Sequence, residues 1–200
     1  MQEIWRIFLA GGHVMWFLLA CSILAVTIGV QGLHFFSKVS PKGKGEEELT
    51  QLLRSCKWDE VSSSTQKNPS MMSSVLYRSF QFSNQKDRER VFQGEATTLI
   101  HRMHEGLRYL DTIVTLSPLL GLLGTVLGMI QSFQVLSVKE GKIDVITGGV
   151  AEALIATAFG LIVAVLALCI HSYLSFKLDQ EATTLEEWGN LIQQTTECSL

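Results

Sequence analysis

The 200-residue chain carries 16 basic and 19 acidic residues, a formal net charge of −3, with 47% apolar and only 18% charged residues. The charged share falls below the quarter usual for soluble domains, and the mildly negative balance gives no basic surface for nucleic acid. The distribution says more: residues 7–37 and 112–138 contain no Asp, Glu, Lys or Arg, and residues 145–176 contain one, Glu152, so these 90 positions hold one charge and the other 110 hold 34. A soluble fold interleaves charge with apolar residues along each element, whereas blocks this long belong to an integral membrane protein. A soluble enzyme, a secreted disulfide scaffold and a disordered tail are thereby excluded.

In chain order, residues 1–13 form a short outer N-terminus, where Ile4, Trp5, Phe8 and Leu9 beside Arg6 suit an interfacial helix. The apolar stretch Val14–Val30 exceeds a usual signal-peptide core, and no small-residue cleavage site follows it, so it reads as a retained anchor. About 20 residues of helix cross a hydrocarbon core of about 30 Å, and residues 14–33, 112–138 and 145–171 each suffice. Their runs are continuous rather than alternating, which predicts helices rather than barrel strands. Lys38, Lys42 and Lys44 follow the first span and only Arg6 precedes it. The excess of Lys places residues 34–111 and 172–200 in the cytoplasm and the 139–144 loop outside.

Residues 38–111 hold 12 basic and 10 acidic residues and read as a cytoplasmic helical domain. Glu46–Cys56 predicts a helix with acids in its first turn, where the helix dipole favours them. The segment from Ser62–Ser64 to Pro69 reads as a loop. From Asp87 onward Val91, Leu99, Met103, Leu107 and Leu110 recur at helical spacing. No breaker separates them from the second span, which predicts one long helix bent near Pro118. In the tail Leu174, Leu178, Leu185, Trp188 and Ile192 form a one-sided stripe. The fold expected is an all-α membrane protein, with three transmembrane helices and long helices extending into the cytoplasm, assembled as a ring. The four cysteines form no C-x-x-C pair and read as small buried side chains. His101 and His104 stand at metal-ligand spacing but lack a further ligand cluster, and no metal, cofactor or catalytic constellation is expected.

At 100° per residue, Ser117, Gly121, Gly124, Thr125, Gly128 and Ser132 share one face of the second span. Leu119, Leu122, Leu123, Val126, Ile130 and Phe133 fall opposite. In the third span Gly149, Ala153, Ala156, Gly160, Ala164 and Ala167 form a narrow stripe, with Glu152 at one edge and Thr157 at the other. Small residues let backbones approach closely in lipid, so the glycines and alanines are helix-packing candidates. Glu152 is the strongest candidate for chemistry. An acid inside a span is costly, and it generally faces a cavity or a partner.

Three stretches carry a resemblance. Ser117–Phe133, Gly149–Leu161 and Gly11-Gly-His-Val-Met-Trp16 with the span after it resemble the MotA/TolQ/ExbB proton channel family, in its TolQ/ExbB branch. The resemblance implies an inner-membrane motor subunit that forms a homopentamer around a single-span partner of the ExbD/TolR type. Such a ring uses the proton motive force to energise a TonB- or TolA-type protein acting on the outer membrane. It also implies that Thr125 and Thr157 line the ion pathway with Glu152, while the essential proton-carrying aspartate belongs to the partner. Two alternatives remain open: a structural scaffold whose stripes only pack, and a sodium-driven stator of the same superfamily.

Overall fold

The computed structural model describes residues 12–41, 45–55, 57–67, 69–138 and 143–194. Among them the protein is all-α, with six helices: α1 Val14–Val39, α2 Gly45–Arg54, α3 Trp58–Lys67, α4 Met71–Phe80, α5 Gln85–Val138 and α6 Ile143–Gln194. Three of these, α1, α5 and α6, are long and apolar enough to cross a membrane. The expected interfacial helix before Gly12 and most of the 139–144 loop lie outside the described residues.

The contacts divide the chain into two units, to which α1, α5 and α6 each contribute. Residues 1–30 and 108–172 make the first. Here α1 brings Val14, Met15 and Leu18 against Leu120 of α5 and Phe159 of α6. Only about a third of each apolar window is buried within one chain. Leu119, Leu122, Val126, Phe133, Leu154, Ile162 and Val165 are all exposed, which is tolerable only where lipid or other chains cover them.

Residues 31–107 and 173–200 make the second unit, whose core is of the kind found in water-soluble proteins. Helix α2 has Glu46, Glu47 and Glu48 in its first turn and Arg54 in its last, and buries Leu49 and Leu53. In α6 the stripe Leu174, Leu178, Leu185, Trp188 and Ile192 is buried throughout. The Trp188 indole is completely enclosed, and its Nε1 donates to the Thr50 hydroxyl at 2.8 Å. An indole N–H normally finds such an acceptor when it is buried.

The structure corrects the expected loop at 62–69, since α3 runs to Lys67. Serines are poor helix formers when considered alone, but here packing wins. Val61 is fully buried, the Ser63 and Thr65 hydroxyls return to the carbonyls of Glu60 and Ser62, and buried Ser64 donates to Glu48 Oε1 at 3.3 Å. Helix α4 starts at a capping box, in which the Ser70 hydroxyl accepts from the Ser73 N–H and the Ser73 hydroxyl from the Ser70 N–H. Cys21 is buried, whereas Cys169 is exposed. The reading as a buried small side chain therefore fails for Cys169, which stands outside the Ala164–Ala167 stripe. Replacing Trp188 by alanine should destabilise the protein by about 3–5 kcal/mol, read as a lowered thermal midpoint in detergent. Thr50→Val, which removes that acceptor together with the hydroxyl's own bond to the Glu46 carbonyl at 2.9 Å, should cost about 1–3 kcal/mol.

Candidate functional site

The two small-residue faces meet each other inside one chain. A Cβ built on Gly121 would lie 3.1 Å from Thr157 Cα, one on Gly124 2.6 Å from Ala156 Cβ, and one on Gly128 3.0 Å from Ala153 Cβ. On Gly160 it would fall 2.7 Å from the Ser117 carbonyl oxygen, and on Gly149 it would collide with Ser132 Oγ. Partners fall on α6 as they rise on α5, so the segments run antiparallel. Ser117, Ser132, Ala153 and Ala156 are buried along this seam. Side chains here would hold the backbones apart; their absence brings carbonyls and Cα atoms into contact.

Each hydroxyl in the seam is tied to the backbone. Ser117 donates to the Ile113 carbonyl and Ser132 to that of Gly128, both at 2.8 Å. Thr125 donates to Leu122 O at 2.6 Å. Thr157 differs, because its hydroxyl crosses to α5 and reaches Gly121 O at 2.9 Å. That bond needs Gly121, since a bulkier residue would push the helices apart at the same position. The hydroxyl protons are thus committed, while a hydroxyl keeps two acceptor lone pairs.

Thr125, Glu152 and Thr157 are neither buried nor fully exposed; they sit at the rims of the seam. Among the described residues no hydrogen bond joins them to one another. Glu152 instead lies against the start of α1. Gly12 has φ +68°, and a Cβ there would come within 2.5 Å of Glu152 Oε1. Only glycine adopts this left-handed turn readily while leaving room for the carboxylate. An anion at a helix N-terminus is favoured by the helix dipole. The sequence reading gave Gly12 no structural role of its own, although a Gly-Gly pair early in an uncharged run was a usable cue. It also missed Gly29, where a Cβ would fall 2.8 Å from the Ile170 side chain. His101 and His104 are both exposed, and no group of three potential metal ligands occurs among the described residues.

The profile of the MotA/TolQ/ExbB proton channel family matches residues 67–187. A putative biopolymer transport protein, ExbB-like 3 of Synechocystis, is 30% identical over 92% of this chain and 90% of its own length. The chain belongs to the MotA/TolQ/ExbB proton channel family. Its similarity to the biopolymer transport protein exbB1 of Vibrio cholerae is 40% identity over 46% of this chain and 41% of that protein. With the Tol-Pal system protein TolQ of Haemophilus influenzae it is 35% over 48% and 42%. The chain thus spans under half the length of these two relatives and nine-tenths of the first. Within the family it falls in the TolQ/ExbB branch, whose members are channel and transport proteins.

One substitution should have opposite signs at two glycines. A Cβ on Gly160 meets backbone, and overpacking of this kind costs about 1–3 kcal/mol. A Cβ on Gly94 of α5 meets nothing within 4 Å, so Gly94→Ala should leave stability unchanged or raise it by about 0.5–1 kcal/mol. Thermal unfolding of the two alanine variants in detergent checks the contrast.

Proposed function

We propose that the chain is an inner-membrane proton-channel subunit. It forms a homopentameric ring around an ExbD/TolR-type single-span partner and uses the proton motive force to energise a TonB- or TolA-type protein. Family membership and three membrane-length helices support this. The observation that carries it is the state of the seam: the glycines and alanines are consumed by packing within one chain, while Thr125, Glu152 and Thr157 remain at its rims, within reach of another chain.

The hydroxyl geometry refines the mechanism. Thr125 and Thr157 already donate to carbonyls, so toward a partner they act as acceptors. They suit a partner aspartic acid in its protonated form, whose O–H can donate to Thr Oγ. Once that acid releases its proton, the same lone pairs face a carboxylate and the interaction turns unfavourable. Glu152, held beside Gly12, tunes the charge and hydration of the path. The second unit lies in the cytoplasm and the N-terminus outside in this reading, which the lysines after α1 support.

The scaffold alternative also has an observation in its favour, since the Thr157 bond to Gly121 O is a packing contact by itself. Partner-dependent proton flux in liposomes separates the two readings. One hydrogen bond is worth about 1–1.5 kcal/mol, roughly a factor of ten in rate. Thr125→Ala, Thr157→Ala and Glu152→Ala should therefore each lower the flux about tenfold or more with assembly intact. Full flux in all three would exclude the proposal, and a silent Glu152→Gln would favour the scaffold.

A further inference from the structure

An unexplained buried acid lies in the second unit, among residues the proposed ion path does not use. A cleft of about 770 Å³ lies between the end of α1, the start of α2 and α6, and its polar lining includes Ser40, Glu46, Lys177, Glu181 and Thr184. Glu181 is only 8% exposed, and its Oε2 is enclosed with no hydrogen-bond partner among the described residues. A charged oxygen in that position is costly, because burial removes its water and nothing replaces it.

Of the neighbouring donors, the Ser40 hydroxyl lies between Glu46 and Glu181, and the others are turned to different acceptors. Thr184 donates to Glu46 Oε1 at 2.8 Å and Ser40 to Glu46 Oε2 at 3.3 Å. The Lys177 ammonium reaches Gln180 Oε1 at 3.4 Å. Among the described residues, the other titratable groups lining the cleft are Tyr173 and Asp179, both on α6 with Lys177, while α2 contributes Glu46 and the lining residues of α1 carry no charge. Burial pushes the Glu181 carboxyl up from its ordinary value of 4.5, and Glu46 beside it pushes the same way; the Ser40 hydroxyl and Lys177 pull back.

We propose that Glu181 is a proton-binding site: it takes up a proton on Oε2, exchanged with solvent through the cleft, and that proton holds α2 docked on α6. The proton removes a buried charge and gives that oxygen a hydrogen to donate. Loss of the proton sets a second anion against Glu46, at the point where α2 is tied to α6 through Glu46–Thr184 and Thr50–Trp188. Proton binding is therefore linked to the docking of α2. In the orientation proposed above, the cleft faces the cytoplasm. That assignment alone rests on the earlier reading, and proton binding at Glu181 does not.

Infrared spectroscopy of the full-length protein in detergent, as wild type minus Glu181→Gln, tests this directly. In acid the difference should contain the carbonyl band of one protonated carboxylic acid, and that band should outlast those of the exposed carboxylates as the pH is raised. A group raised on folding gives its full stability below 4.5 and loses it as pH climbs toward the raised value. The wild-type thermal midpoint should therefore fall over that window, while Glu181→Gln stays flatter and is the more stable at alkaline pH. In Glu46→Gln the band should persist but titrate at lower pH. A band that is absent, or that titrates together with the exposed carboxylates, overturns the proposal. So does a wild-type midpoint that rises with added sodium, potassium or calcium at constant ionic strength while the band is missing, which would make the cleft an inorganic cation site. If Glu181→Gln fails to fold, the titration of the wild-type band and its shift in Glu46→Gln decide the matter. Loss of partner-dependent flux elsewhere would leave these results untouched.

Discussion

In lipid no hydrophobic force draws two apolar helices together, so contact must come from close van der Waals packing and hydrogen bonds. The approach of α5 to α6 meets that requirement by removing side chains where the helices touch. Gly121, Gly124 and Gly128 face Thr157, Ala156 and Ala153, and Gly160 sits on the Ser117 carbonyl. Other features of the first unit follow from this contact. The bulky residues must take the outer faces, which leaves Leu119, Leu122 and Phe133 for lipid or for further copies. The Thr157 hydroxyl can cross to Gly121 O only because the backbones are this near. The polar side chains at the seam's rims stay accessible because its centre is filled without them.

The second unit follows different rules. Its helices bury leucines, methionines, phenylalanines and Trp188, as a soluble domain does. Its polar links run between side chains: Trp188 to Thr50, Thr184 to Glu46, and Arg78 to Glu95 at 3.1 Å. The surface ion pairs contribute little by themselves. The enclosed tryptophan and the acid-rich corner matter more, since a buried carboxyl makes this docking responsive to proton concentration.

Much of this was legible in the sequence, for identifiable reasons. Charge is excluded from lipid, so its absence from residues 7–37 and 112–138 marked α1 and the apolar part of α5. Side chains on a helix repeat every 3.6 residues. That periodicity separated the glycine face of α5 from its leucine face, and picked out Leu174, Leu178, Leu185, Trp188 and Ile192 in α6. What it missed depends on contacts distant in sequence. Helix α3 exists because Val61 is buried and Ser64 reaches α2, information absent from the Ser62–Thr65 run itself. Helix α4 begins at a Ser70–Ser73 box that lacks the usual Glu or Gln. The place of Glu152 against Gly12, and of Glu181 opposite Glu46, came only with tertiary structure, because each pair joins residues over a hundred positions apart.

The central claim is that the rim residues of the seam await a second kind of chain. Native mass spectrometry of the complex, purified in mild detergent after co-expression with a single-span partner bearing a membrane aspartate, tests it most directly. The account predicts one assembly in which several copies of this chain hold the partner. A ring or monomer that retains no partner under any detergent condition would contradict it, and would leave the seam as a packing device alone.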